Sequence, residues 1–155
     1  METQKLVSNY KYKKVINKEI CPLLCEPTKI VSSSQAYRFI LPEYLKQGDI
    51  DLLERCYAVY LNRDNVPVGF TLISQGGTYV TVIDTKLVIR MAFELMAHGV
   101  ILYHNHPSGN LTASKEDRSV TAQIKEACNI CGIHLLDHLI VTENSYLSFA
   151  DEGIL

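Results

Sequence analysis

The sequence predicts a single α/β domain preceded by an irregular arm, and three observations support that. Two β-like runs around a polar turn, residues 54–77, are followed by helical and strand-like segments that alternate to the C-terminus. The 155 residues, 47% of them apolar, suffice for one core without disulfide or metal staples. No internal repeat or low-complexity tract interrupts the chain, and its texture changes once, from irregular to regular, near residue 31. The expected division is an arm over residues 1–31 and a domain over residues 32–155.

In the arm, Cys21-Pro22 and Glu26-Pro27 break any helix, leaving room for one short strand. Ser32, Ser33 and Ser34 then offer N-cap hydroxyls to a helix with Ala36, Phe39 and Ile40 at helical spacing; Pro42 either kinks or ends it, and Gly48 closes the region. Aromatic and β-branched residues on either side of Arg63-Asp64-Asn65 predict a hairpin, stopped by Gly76-Gly77. After a short β-like run at 79–84, Leu87, Met91, Phe93, Leu95 and Met96 give an apolar surface to a helix over 85–97, ended near Gly99. The buried strand "VILYH" follows. Ser114 opens another helix with Val120, Ile124, Ala127 and Cys128 at helical spacing, stopped by Gly132, and "HLLDHLIVT" and "SYLSFA" supply two closing strands.

Composition excludes some functions. A formal charge of -2 leaves no excess of Lys and Arg to neutralise a phosphate backbone, and the one basic run, Lys11, Lys13 and Lys14, is short. DNA is therefore a partner that charge does not support. The N-terminus has no apolar segment after its charges, and no apolar stretch approaches the ~18 residues of a membrane span. The expectation is a cytoplasmic protein with no membrane partner. Five cysteines, an odd number without regular spacing, fit free thiols in a reducing compartment.

The chemistry concentrates in "HNHPSGNLTASKED", residues 104–117. Alternate residues of an extended chain face the same way, so His104 and His106 aim both rings at one point when Asn105 faces elsewhere. Pro107, Ser108 and Gly109 turn the chain back, and Asp117 falls in the first turn of the next helix, where the dipole favours a carboxylate. Two imidazoles and one carboxylate make three protein ligands. With an open fourth position, that is the arrangement of catalytic zinc, whose water has a pKa of about 7. Glu54, at the start of the first hairpin strand, is the candidate base for that water. Ser114 is the candidate hydrogen-bond donor to an oxyanion, a role worth about 10²- to 10³-fold in rate. S-x-x-D at a helix start is also close to a capping box, which implies no chemistry. His98, His134 and His138 lack neighbours at ligand spacing and read as structural or surface histidines. A structural zinc on Cys21, Cys25, Cys128 and Cys131 matches known spacings only loosely.

Glu54 followed by H-x-H-x₇-S-x₂-D, with every position filled by Glu54, His104, His106, Ser114 and Asp117, resembles the JAMM (MPN-plus, JAB) metallopeptidase motif. Within that superfamily, "HNHPSGNLTASKED" followed by "GIHLLDHLIVTENSYLSFADEGIL" is similar to the RadC-like branch, from about residue 32 to the C-terminus. The resemblance implies a JAB1/MPN, cytidine-deaminase-like three-layer α/β/α domain with a mixed sheet and flanking helices. It implies Zn2+ held by His104, His106 and Asp117, with Glu54 as base. Two features depart from the branch: the helix-hairpin-helix module often found ahead of the domain is not visible, and "VIDTKLVIRMAFELM" replaces the usual His-Pro-Arg-Glu at the start of the first helix. Relatives in the superfamily cleave peptide or isopeptide bonds, and the RadC branch carries a DNA-repair label. The leading expectation is a zinc-dependent metallopeptidase-like hydrolase of amide bonds in a peptide or protein. The alternative is a DNA-repair-associated accessory protein in which the metal site is not proteolytic.

Overall fold

A computed structural model describes the backbone of Tyr12–Lys13 and residues 28–76 and 83–155. Most of the arm predicted over residues 1–31, and most of the β-like run at 79–84, lie outside these described residues, as do Cys21 and Cys25. Within the arm, β1 (Tyr12–Lys13) pairs with a later strand.

Helix α1 (Ser33–Gln47) begins where the serine run predicts: Ser32 is its N-cap, and the Ser32 side chain accepts from the Gln35 N–H. Gly48, at φ 72°, ends it in the left-handed conformation and returns its N–H to the Leu45 carbonyl. The sequence left Pro42 to kink or end this helix, yet the helix runs through it. Proline removes the hydrogen bond to the Arg38 carbonyl, and that loss falls on a residue that is exposed. Ala36, Ile40 and Tyr44, four residues apart and all buried, hold both halves to one surface.

The described strands form one sheet in the order β1-β3-β2-β4-β5-β6. The predicted hairpin is β2 (Arg55–Leu61) and β3 (Pro67–Gln75), antiparallel. Asn62 shapes its turn by accepting the Asp64 and Val66 N–H groups on Oδ1. Next come β4 (Gly99–Asn105), antiparallel to β2, and β5 (His134–Val141), parallel to β4; β6 (Tyr146–Ser148) closes the edge antiparallel to β5. Every residue of β2 and β4 is buried, which places these strands at the centre of the sheet.

Helix α2 (Thr85–Glu94) is shorter than the predicted span over 85–97. Its buried face is Leu87, Val88, Met91 and Ala92, whereas Phe93 and Met96, predicted to belong to it, are 55% and 87% exposed. Met96, at φ 50°, terminates the helix: its N–H reaches the Phe93 carbonyl and that of Ala97 reaches Ala92, a Schellman closure without glycine. Gly99 is not the stop but the first residue of β4, where a Cβ would stand 2.5 Å from the Leu136 side chain. Helix α3 (Lys115–Ile130) follows the prediction, with Gly132 at φ 70° just past its end.

The core lies on both faces of the sheet. On one face Cys56, Ala58, Tyr60, Val100 and Leu102 pack against α2 and α3; on the other Tyr57, Val59, Ile101 and Tyr103 pack against α1. Helices on both faces of a mixed sheet make the three-layer α/β domain that was expected. No helix of the described residues is long and apolar enough to cross a membrane. Within the central strands three side chains break the apolar pattern, Arg55, His104 and Asn105. Polar groups at such positions are costly unless paired, so their partners define what the domain is built to hold.

Candidate metal centre

His104 lies near the C-terminal end of β4, in register between Cys56 of β2 and Ile140 of β5. The pleat sends it to the α2/α3 face with Val100 and Leu102, and sends Asn105 to the opposite face with Ile101 and Tyr103. Beyond the strand, His106 returns to the first face. A turn follows, in which Gly109, at φ 75°, gives its N–H to the His106 carbonyl. The chain then reaches Ser114, which caps α3 in a full capping box: its Oγ accepts the Asp117 N–H at 3.0 Å, and Asp117 Oδ2 accepts the Ser114 N–H at 2.8 Å. The cap fixes the Asp117 carboxylate at the mouth of β4.

The three predicted ligands are brought together. One donor atom from each of His104, His106 and Asp117 lies within 4.8 Å of the others. His104 Nε2 approaches Asp117 Oδ1 at 3.2 Å, His106 Nε2 approaches Asp117 Oδ2 at 3.6 Å, and the two Nε2 atoms are 2.9 Å apart. His104 is buried, and His106 and Asp117 are 18% and 15% exposed, so the site opens to one side.

Proton accounting decides what this triad can hold. Thr121 Oγ1 donates to the Asp117 carbonyl at 2.5 Å, so it can only accept from His138 Nδ1, at 2.6 Å. His138 is buried, and that burial, with His104 beside it, holds its pKa well below the ordinary imidazole value. It is therefore neutral, and its Nε2 accepts the Nδ1 proton of His104 at 2.8 Å. On the other ring, His106 Nδ1 donates to the Asn110 carbonyl at 2.6 Å. Both rings thus present an Nε2 lone pair toward the carboxylate, and three acceptors converge. A proton shared among the three satisfies such a set, and so does a metal ion, for which two imidazoles with one carboxylate are a donor set suited to a borderline divalent metal. A proton carried on an Nε2 pairs with the same carboxylate, which shifts the titration of both partners. The Asp117 hydrogen bond raises the His106 pKa against the effect of burial. Burial would raise that of Asp117, but His104 and His106 hold it far below the usual carboxylate range.

A cavity of about 450 Å³ opens over the triad, lined by Glu54, Cys56, Ser114, Glu116 and Gln123 besides the three predicted ligands. Glu54, the predicted base, immediately precedes β2 and is half-buried; its carbonyl accepts the Gly76 N–H. Ser114 is exposed at the rim, with its oxygen engaged in the cap and its hydroxyl proton left to donate. Cys56 is buried beside His104 in the register, and that burial, reinforced by Glu54 and Asp117, drives its thiol pKa upward, so it offers no thiolate. A smaller cavity of about 280 Å³, lined by Asp51, Pro107 and Glu143, shares the His106 ring as a wall.

Two residues that matter to this geometry were not picked out from the sequence. His138 was grouped with His98 and His134, yet it holds the His104 ring from behind. Asn105 was noted only as facing away. Neither carries a local signal, because the side-chain partners of both are 17 or more residues distant in the chain.

The model of the RadC-like JAB domain family matches residues 30–154. A UPF0758 protein of Flavobacterium johnsoniae is 40% identical over 126 residues, which cover 81% of this chain and 53% of the relative. One from Thermotoga maritima is 37% identical over 130 residues, 83% of this chain and 56% of the relative. One from Aquifex aeolicus is 36% identical over 113 residues, 73% and 49% respectively. The chain spans about half the length of these curated relatives. Matched along almost all of the sheet and helices that build the triad, this chain belongs to the RadC-like JAB domain family.

Proposed function

We propose that the chain is a zinc-dependent hydrolase of amide bonds, acting on a peptide or isopeptide linkage. The observation that carries this reading is the convergence of three acceptor groups, His104 Nε2, His106 Nε2 and the Asp117 carboxylate, on the floor of a cavity that also holds Glu54. His104, His106 and Asp117 would hold the zinc, which would supply Lewis acidity toward a carbonyl and acidify a water to a pKa of about 7. The chain's own groups do the rest. The Glu54 carboxylate takes the proton of the attacking water and returns it to the leaving amine. The Ser114 hydroxyl donates to the oxyanion as it forms. His138 and Asn110 keep both rings in the tautomer that leaves Nε2 free.

Among the described residues, the acidic and basic side chains lining the cavity, apart from the two imidazoles, are the carboxylates of Glu54, Glu116 and Asp117. With the charge of a metal ion offset by Asp117 and one further carboxylate, the lining offers no excess of positive charge to hold a nucleic-acid backbone, which favours an amide substrate over the alternative of a DNA-repair-associated accessory protein. The test is elemental analysis of the purified protein offered zinc, beside a His104→Ala/His106→Ala variant whose folding is checked by melting. About one zinc per chain, lost in the folded variant, is the expected result. Glu54→Gln should then keep zinc and lose turnover of quenched-fluorescent peptides. A parent that takes up no zinc, or salt-sensitive DNA binding with no amidase activity, would overturn the reading.

A further inference from the structure

The pleat that turns His104 and His106 toward the triad turns Asn105 to the opposite face, where its side chain is completely buried. A carboxamide there must satisfy two N–H donors and an oxygen, and all of them are used on one short segment of chain. Asn105 Nδ2 donates to the carbonyls of Ile50 and Leu53 at 2.6 and 2.8 Å, and Oδ1 accepts the Arg55 N–H at 2.7 Å. Leu53 and Arg55 are the residues on either side of Glu54. The amide therefore grips the peptide groups that bracket the candidate base.

The other bonds on this segment lead elsewhere. Arg55 and Asp49 form a two-pronged ion pair within the segment itself, the Tyr44 hydroxyl donates to the Arg55 carbonyl from α1, and the Gly76 N–H binds the Glu54 carbonyl from the end of β3. Of these side-chain and backbone contacts, those of Asn105 join the segment to the strand that carries the histidines. In register terms, β2 and β4 pair from Cys56 and His104 onward. The Asn105 side chain extends that ladder by one residue, to the edge of Glu54.

We propose that Asn105 is a positioning residue that sets the place of Glu54 relative to His104 and His106. One strand then gauges both halves of the chemistry: its residues 104 and 106 carry ligands on one face, and residue 105 fixes the base carrier on the other. The catalytic consequence rests on the hydrolase reading above, whereas the clamp rests on the hydrogen bonds alone.

The experiment compares Asn105→Ala, Asn105→Ser, Glu54→Gln and the Asn105→Ala/Glu54→Gln double variant, with melting to confirm folding. Asn105→Ser keeps a polar group in the site and takes the place of alanine if alanine does not fold. Zinc content should stay at about one per chain in all of them, because no metal ligand is touched. Amide exchange at Arg55 should accelerate by about 10-fold or more in both Asn105 variants. Turnover of quenched-fluorescent peptides should fall about 10²-fold, the scale of a displacement near 1 Å. In the Glu54→Gln background Asn105→Ala should add less than about twofold, since it acts through the same group. A readout independent of turnover is the visible absorption of the Co2+-loaded protein: Glu54→Gln should change it, Asn105→Ala should change it alike, and the double variant should add nothing. A parent that hydrolyses no peptide would defeat the hydrolase reading, and the exchange and cobalt readouts would still decide the role of Asn105. Unchanged exchange at Arg55, loss of zinc on Asn105→Ala, a cobalt spectrum indifferent to Asn105, or equal rate losses with and without Glu54 would each overturn the proposal.

Discussion

Replacing His138 with leucine removes the acceptor behind His104 while keeping a side chain of similar bulk against the Phe149 ring, whose centroid lies 4.8 Å from that of His138. The His104 Nδ1 proton, buried and 2.8 Å from its acceptor in the parent, is then left without a partner. A buried donor deprived of its acceptor costs about 1–3 kcal/mol. His104 escapes that cost by moving its proton to Nε2 or by rotating, and either response removes the lone pair from the triad. Metal binding must pay the difference back, so zinc affinity should fall by about 5- to 150-fold at constant pH. The assay is competition for zinc against a chromophoric chelator, with the metal-free melting temperature recorded in parallel. Affinity within about threefold of the parent, accompanied by a lowered melting temperature, would refute the reasoning and reduce His138 to a residue that only fills the core.

Three further outcomes are expected. Zinc and a proton compete for His106, whose pKa is raised above 6.5 by Asp117, so apparent affinity should hold on the alkaline side of that raised value and fall about tenfold per pH unit on the acid side. Chelator competition across pH 5–8 checks it, and a flat profile through the neutral range would contradict it. Asp117→Asn retains an oxygen for the Ser114 N–H but loses the charge, so the metal should be released while α3 keeps its start; elemental analysis and circular dichroism separate the two effects. Ser114→Ala should cost about 1 kcal/mol of stability through the lost cap. A fall in turnover of about 10²-fold beyond that would mark its hydroxyl as an oxyanion donor, and unchanged turnover would leave it a cap alone.

What was legible in the sequence is what local periodicity encodes. His104 and His106 share a face because strands repeat every two residues, and Asp117 is placed by a helix start, three residues after Ser114, so the triad could be anticipated from fourteen consecutive positions. The helix ends were less legible, for physical reasons that differ. Pro42 is tolerated because Ala36, Ile40 and Tyr44 anchor α1 on both sides of it. Met96 takes a left-handed conformation that sequence rules reserve for glycine, while the nearby Gly99 answers to the Leu136 side chain on the next strand instead. Least legible were Asn105 and His138. Each looks like an ordinary polar residue in a strand until the strands are paired, and what each does depends on groups that only the fold brings near.

The Asp117 carboxylate serves two masters, closing the α3 capping box with one oxygen and approaching both imidazoles with the pair. Its chemistry is consequently frozen by architecture. Glutamate, a favoured residue at that position of a capping box, would push the charge past the rings, and histidine or cysteine, ligands for a softer metal, would leave the first turn of the helix open. The donor that this corner offers is thereby tied to the start of α3, so that exchanging the carboxylate for another ligand also removes the cap.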